Sequence, residues 1–311
     1  MRVTVTGAAG FIGAACAHAL LDSGAEVIGI DRLDSRPSSR LHRAWGSLTA
    51  RAGFTPLVAD LNETDLVATV DGVDAVVHLA GRGGTHESWT DYGAYLRDNV
   101  EATARVADAC AKTSTRLLHA SSSSVYGREA IGDETQPLQP ISPYGVSKLA
   151  AEQTVEAYIL SQGVQAVVVR MFSVYGPGQR PDMGVYRLIS ANLGLDETAF
   201  ARHGDGTQSR SMTFIDDVVA GLVLALANGE AGAVYNLGGT SEVSLNEVID
   251  EVSRQVGRPF RAKEAIDPPG NQSHTAADIS KASLELGYAP KVGLTEGLGR
   301  QIAWQRALVG P

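Results

Sequence analysis

The sequence predicts an α/β fold, a Rossmann-type doubly wound parallel sheet carrying a smaller α/β lobe for a substrate. Three observations lead there. Short β-rich runs alternate with amphipathic helical stretches through the first two thirds of the chain. Several of the runs are near-continuous Val, Leu and Ile, as strands covered on both faces require. The first run ends in glycines spaced three apart at a strand-to-helix turn, the place where a doubly wound sheet binds phosphate.

Strands are expected at 2–6, 26–31, 55–59 (the weakest), 75–79, 116–121 and 166–171, with helices at 13–23, 99–112 and 144–162 between them. Beyond Tyr175 the pattern loosens into Gly- and Pro-rich turns, with helices at 183–193, 216–227, 245–256 and 279–286. The stretch 216–237 reads as a return to the sheet through a helix and a last strand at 233–237. The expected division is therefore a dinucleotide-binding domain made of 1–173 and 212–243, and a second lobe made of 174–211 and 244–311.

Composition narrows the function classes. A chain of 311 residues that is 44% hydrophobic can bury one large core or two intimate ones. A net charge of −9 argues against a nucleic-acid partner, which needs a basic face, although local arginines can still bind an anionic substrate. Cys16 and Cys110 lie in alanine-rich helical stretches and read as buried free thiols, so neither a disulfide framework nor a metal centre is expected. The chain enters a strand at once, with no secretory leader, and no apolar run reaches the roughly 18 residues of a membrane span. A cytoplasmic protein with no membrane partner is expected.

The first turn reads Gly7-Ala8-Ala9-Gly10-Phe11-Ile12-Gly13, a GxxGxxG spacing. Glycines there let the backbone approach a pyrophosphate that the helix N-terminus stabilises, which makes Gly7, Gly10, Phe11, Ile12 and Gly13 candidate cofactor contacts. A bare glycine triplet is often only a tight turn; its place in a βαβ unit favours a dinucleotide. Asp31 ends the second strand, where a carboxylate accepts from the adenosine ribose and repels a 2′-phosphate, so NAD is favoured over NADP. The neighbouring Arg32 is of a type that serves such a phosphate, and a solvated strand-end charge is the plain alternative for Asp31. Asp60 and Leu61 are candidates for the adenine end, and Leu79, Ala80 and Gly81 for a small-residue opening beside the cofactor. Asn99 opens a helix and is most simply an N-cap, with a cofactor contact as its second reading.

The chemistry is carried by Ser142-Pro143-Tyr144-Gly145-Val146-Ser147-Lys148. Tyr144 and Lys148, four apart on a helix, leave one face together. An ammonium beside a phenol favours the phenolate and draws its pKa down from about 10. Such a phenolate can take a proton from a sugar or alcohol hydroxyl.

Together with the run Ser121-Ser122-Ser123-Ser124-Val125-Tyr126-Gly127, these motifs resemble the extended short-chain dehydrogenase/reductases, and within them the NAD-dependent nucleotide-sugar epimerases and dehydratases. The resemblance continues through Arg170-Met171-Phe172-Ser173-Val174-Tyr175-Gly176-Pro177, Arg210-Ser211-Met212-Thr213-Phe214-Ile215-Asp216-Asp217 and Thr275-Ala276-Ala277-Asp278-Ile279-Ser280-Lys281-Ala282. It implies Tyr144 as catalytic base, Lys148 on the nicotinamide ribose, and Ser122 bridging sugar and phenolate. A serine run at a strand end also satisfies backbone groups by itself.

The related dehydratases carry Asp-Glu, and the glucuronate decarboxylases Glu, before Val-Tyr-Gly; here Ser123 and Ser124 stand there. The decarboxylases also tend to carry Asn in place of Ser173. The resemblance thus implies C4 epimerisation with no net consumption of NAD. The run Gly178-Gln179-Arg180-Pro181-Asp182-Met183 is similar to that of UDP-glucuronate 4-epimerases. By that likeness Arg180, with hydroxyls of Ser123, Ser124 and Ser173, would hold a C5 carboxylate through charge-assisted bonds. Arg210 is implied as a diphosphate ligand, with Asp278 and His86 among the nucleotide-sugar contacts; His86 stands where uronate epimerases often have an arginine. Further departures are Ser211 in the usual Arg-Asp-Phe-Thr run, and Pro268-Pro269-Gly270-Asn271, which lacks a second diphosphate arginine. The resemblance also implies a homodimer paired through helices 99–112 and 144–162, and a UDP-sugar substrate, with dTDP-sugars left open.

Overall fold

The computed structural model describes residues 1–33, 39–196, 200–240, 242–260, 262–266 and 269–309, so Pro268 lies outside the described residues. The strands begin with β1 (Arg2–Thr6), β2 (Glu26–Asp31), β3 (Phe54–Val58), β4 (Ala75–His78) and β5 (Arg116–Ser122), followed by β6 (Glu129–Ala130) and β7 (Ala166–Met171). A seven-stranded sheet runs Val234–Leu237, β7, β5, β4, β1, β2, β3, with every pairing parallel. The winding reverses between β1 and β4, and ligands of such sheets bind outside the strand ends at that crevice.

The sequence explains these positions. All four residues of β4 are buried, as are five of the six in β7, consistent with strands covered on both faces. β3 is the edge strand; it contains Pro56 and exposes Thr55, Pro56 and Val58, and an edge tolerates the proline because one side of its backbone needs no partner. One face of the sheet packs α1 (Phe11–Asp22) and the helix Ile215–Asn228 through Val5, Leu20, Val167, Val169 and Leu222. The other packs α3 (Leu66–Val70), α5 (Ala102–Thr113) and α6 (Pro143–Gln162) through Ile30, Val76, Val106, Leu117 and Val155. Each such side chain contributes about 1.5–3 kcal/mol on leaving water. Cys16 and Cys110 are free and buried in these two layers, and burial pushes both thiols up to about 12.

Beside the sheet stands a smaller set of elements. Short strands Glu242–Ser244, Ser209–Ser211, His274–Thr275 and β6 form a four-stranded sheet, and Lys263–Ala265 pairs with Ala201–His203. Helices Gly184–Asn192, Leu245–Val256, Ser280–Leu286 and Leu294–Val309 accompany them. Leu245–Val256 starts at a capping box, in which Ser244 Oγ accepts from Glu247 N at 3.2 Å and Glu247 Oε2 accepts from Ser244 N at 2.7 Å. β6 joins this sheet although it lies far from the other strands in the chain.

Three differences from the sequence expectation matter. α2 (Ser39–Thr49), α3 and the helix Leu294–Val309 were not expected. The strands of the small sheets are two or three residues long, too short to show a period. Asn99 does not open a helix: it lies inside the π-helical turn Leu96–Glu101, which continues α4 (Tyr92–Tyr95) and runs on into α5, so it is not an N-cap. Among the described residues no helix is long and apolar enough to cross a membrane.

Candidate active site

At the crevice, the turn after β1 is built on backbone contact. Gly7 has φ +69°, and a Cβ there would stand 2.8 Å from Ala80 Cα; a Cβ on Gly13 would stand 2.0 Å from the Gly7 carbonyl. α1 begins at Gly10 without a side-chain cap, so its first N–H groups face the crevice with Phe11 and Ile12 behind them. Asp31 is not merely a solvated charge: its Oδ2 accepts from Ala9 N at 3.0 Å and its Oδ1 from Leu33 N at 2.9 Å. That pins the carboxylate over the glycine turn with lone pairs left for a ribose. Leu61 is buried in the core. Burial would raise the Asp60 pKa, but Arg97 at 2.7 Å and the Asn62 N–H at 2.9 Å hold it below the usual carboxylate range. A cradle that any Cβ would fill, an uncapped helix start and a carboxylate at the ribose position fit a dinucleotide.

Asn99 serves this wall of the crevice from behind. Its Oδ1 accepts from Arg82 N at 2.7 Å, and its Nδ2 donates to Arg82 O at 3.1 Å and to Ser147 Oγ at 2.9 Å. A Cβ on Gly81 would stand 2.9 Å from that Oδ1. The side chain thus clamps the backbone after Leu79 and Ala80 to α6.

α6 carries Tyr144 and Lys148. Ser142 caps it, accepting from Gly145 N at 3.0 Å, and Pro143 occupies the first turn, where a missing N–H costs nothing. A Cβ on Gly145 would stand 2.6 Å from Ser124 O, so the helix start presses on the 3₁₀ turn Ser123–Val125. Ser122 Oγ lies beside the Tyr144 phenol while also accepting from Ser124 N at 3.2 Å, so the hydroxyl that satisfies the backbone also stands at the phenol. Burial pushes the Tyr144 pKa up; the Ser122 hydroxyl and the Arg180 guanidinium oppose it. Lys148 Nζ donates to Ala120 O at 2.6 Å, and burial brings its pKa down to about 8 against the pull of Glu152. The cation acting on the Tyr144 phenol here is Arg180, while Lys148 is turned to the Ala120 carbonyl. A buried ammonium needs an acceptor, and the carbonyl at the end of β5 provides it.

Behind the pair runs a buried network. Arg170 Nη2 donates to Glu152 Oε2 at 2.8 Å and Nη1 to Tyr126 OH at 2.9 Å, while Tyr126 donates to Asn236 Oδ1 at 2.8 Å. Ser121 also bonds Glu152, so β5, β7, α6 and the strand Val234–Leu237 are tied together below the site.

Of the expected sugar ligands, Arg180 reaches the site: it acts on Tyr144, and its Nη1 would lie 3.2 Å from a Cβ on Gly83. Its fork also holds Asp182, at 3.1 and 2.7 Å. Ser123 is buried, and its carbonyl accepts from Gln272 Nε2 at 3.1 Å. Ser173 adopts φ +20°, rare for a residue with a Cβ, and its carbonyl accepts from Thr213 N at 3.1 Å. Arg210 donates to Asn271 Oδ1 at 3.0 Å and to Gln272 O at 2.5 Å, so Gln272 links it to the serine turn. Asp278 caps Ser280 N at 2.9 Å, and the His86 ring lies 5.9 Å from that of His203.

Sequence reasoning missed Tyr95, whose ring centroid is 6.2 Å from that of Tyr144 and whose hydroxyl donates to Gly84 O at 2.7 Å. It also missed Arg40, which donates to Gly178 O at 2.8 Å and lies near both Arg180 and Asp31. Tyr95 stands four residues before Asn99, a helical spacing that was a usable signal; Arg40 lies in no motif and had none.

Comparison with known proteins agrees with this geometry. A family model described as the NAD dependent epimerase/dehydratase family matches residues 3–238. The protein named uncharacterized UDP-glucose epimerase YtcB of Bacillus subtilis (strain 168) is 37% identical, over 99% of this chain and 99% of its own length. The UDP-glucuronate 4-epimerase of Thermodesulfobacterium geofontis (strain OPF15) is 31% identical over 97% and 95%. Among solved structures, the UDP-glucuronic acid 4-epimerase from Bacillus cereus in complex with UDP-glucuronic acid and NAD superposes with TM-score 0.93 at 36% identity, covering 99% and 100% of the two chains.

Proposed function

The chain belongs to the NAD dependent epimerase/dehydratase family, and on that premise we propose that it epimerises UDP-glucuronate at C4 to UDP-galacturonate. The observation that carries this reading is the convergence of Ser122 and Arg180 on the buried Tyr144 phenol, at the carboxyl ends of the strands where the dinucleotide cradle opens.

Gly7, Gly10 and Gly13 would take the pyrophosphate, Asp31 the adenosine ribose, Asp60 and Leu61 the adenine end, and Lys148 the nicotinamide ribose. When bound, NAD supplies a reversible hydride acceptor for the sugar C4. Tyr144 accepts the 4-hydroxyl proton and returns it, with Ser122 bridging the two oxygens. Positions 123 and 124 hold serines, with no carboxyl group to eliminate water, which leaves rotation of the 4-keto sugar and return of the hydride to its other face.

A 4-keto uronate is a β-keto acid prone to lose CO₂. Arg180 would hold its carboxylate near the ring plane, out of alignment with the carbonyl π system, and that suppresses the loss. The substrate carboxylate would then share the fork that Asp182 occupies. Arg210 would take the diphosphate. On a division of the chain into a dinucleotide-binding part and a smaller lobe, NAD would lie on the large sheet and the nucleotide sugar toward the smaller lobe.

The Asp182 pairing, together with a relative named for UDP-glucose, favours one second reading: a neutral-sugar 4-epimerase. Initial rates of wild type and Arg180→Ala on both sugars separate the two. Because Arg180 also favours the Tyr144 phenolate, both sugars lose turnover, and a carboxylate ligand predicts a further loss of roughly 10²-fold on UDP-glucuronate over that on UDP-glucose. Equal losses on both would sink the uronate assignment. The protein is further proposed to be cytoplasmic and a homodimer. α6 leaves Val146 and Leu160 exposed 14 residues apart, on one helical face that a symmetry mate would cover.

A further inference from the structure

Two cations meet on the loop that carries Arg180. Arg40, in the first turn of α2, donates from Nη1 to Gly178 O at 2.8 Å, two residues before Arg180. A carbonyl has no net charge, so this bond holds the guanidinium in place without neutralising it. Gly178 sits over the cofactor turn: its φ is +89°, and a Cβ there would stand 3.4 Å from the Phe11 ring. On the other side Gln179 accepts from Gln301 Nε2 at 2.7 Å and donates to Val174 O at 3.1 Å, both glutamines being buried. The loop is thus fixed from the cofactor turn, from α2 and from the helix Leu294–Val309. Held this way, Arg180 acts on Tyr144 while Asp182 grips its Nε and Nη2 edge.

That grip bears on a uronate. A sugar carboxylate on Arg180 stands beside the Asp182 carboxylate, and two anions on one guanidinium repel each other more as water leaves the site. Arg40 carries a charge that offsets this. Burial and then the Arg180 charge hold its pKa below the ordinary arginine value, while Asp182, ahead of Asp31, pulls it up. Asp31 already accepts from Ala9 N and Leu33 N. Partial burial would raise the Asp182 pKa, but Arg180 and, after it, Arg40 hold it below the usual carboxylate range.

We propose that Arg40 is a specificity-determining residue for the uronate: it takes over the charge of Asp182 when the sugar carboxylate engages Arg180. The inference rests on the UDP-glucuronate reading and gives that site a second cation. With a neutral sugar no second carboxylate arrives, and Arg40 has nothing to offset. A mere tether to Gly178 would serve both sugars alike, without regard to Asp182.

The test is calorimetric titration of the full chain, loaded with NAD⁺ and carrying Tyr144→Phe to stop turnover, with UDP-glucuronate and with UDP-glucose. Adding Arg40→Met weakens UDP-glucuronate roughly tenfold relative to UDP-glucose, and Asp182→Asn on top of it restores the original ratio. Asp182→Asn alone moves the ratio toward UDP-glucuronate. An unchanged ratio with Arg40→Met overturns the proposal, and so does a loss that Asp182→Asn leaves in place. Should Arg40→Met not fold, Asp182→Asn alone decides: a ratio that stays, or moves toward UDP-glucose, overturns the exchange. Turnover of UDP-glucuronate by the wild type is followed separately by NMR. Its absence defeats the uronate reading and this inference with it, whereas turnover with an unmoved binding ratio defeats only the role of Arg40.

Discussion

Lys148 is buried on every side, and the groups facing it make its titration readable. His78 and His119 face it from β4 and β5; burial carries His78 down to about 3, and burial with the Lys148 charge carries His119 well below its ordinary value, so both are neutral at alkaline pH. Glu152 faces it from one turn along α6, and Tyr144 has a pKa pushed above 10. Below about pH 8 folded and unfolded chains both carry the lysine proton, and the whole cost of burying the ammonium is present. Between pH 8 and the ordinary value of 10.5 the folded chain gives up the proton first, so stability rises with pH. The shift amounts to roughly 3 kcal/mol across that window. Thermal denaturation of wild type and Lys148→Met at pH 7 and pH 10 should therefore show wild type gaining on the variant as pH rises. A difference independent of pH would mean the ammonium is not destabilised. The shared helix face of Tyr144 and Lys148 was legible because their spacing is local. The direction of the ammonium was not, because it depends on a carbonyl 28 residues away in sequence, at the end of β5.

At the scale of elements, the Arg170–Glu152 pair fixes α6 against β5 and β7. Both side chains are about 5% exposed, and breaking such a pair from one side strands a charge away from water, at a cost of about 3–5 kcal/mol. Arg170→Met should lose that much in urea denaturation, and adding Glu152→Leu should recover most of it, because replacing both charges removes the desolvation cost with the attraction. A loss below about 1 kcal/mol in the single variant would show that the network does not anchor the helix. The long strands were legible from their apolar runs, and Leu245–Val256 from its period. Arg170 within Ala166–Met171 carried a signal that went unread: a charge inside a strand otherwise apolar demands a partner. The π-helical turn around Asn99 left no signature, because its extra residue per turn preserves the same polar composition as an α-helical start.

For the whole molecule, the doubly wound parallel sheet was legible from the alternation of strands and helices, since right-handed parallel windings leave few alternatives, and the crevice between β1 and β4 follows from the strand order found. The four-stranded sheet was not legible, because its strands come from positions as far apart as Glu129 and His274 and none is long enough to announce itself. A homodimer through α5 and α6 predicts sedimentation at twice the chain mass of 32.6 kDa at micromolar concentration, and a single-chain value would refute it.

The reaction itself is tested most directly by incubating the full chain with NAD⁺ and UDP-glucuronate and following the sugar by NMR. The account predicts UDP-galacturonate approaching a fixed ratio with its epimer, no net NADH and no CO₂, with Tyr144→Phe slower by roughly 10²–10⁴-fold. Formation of UDP-xylose, or undiminished turnover by Tyr144→Phe, would contradict it.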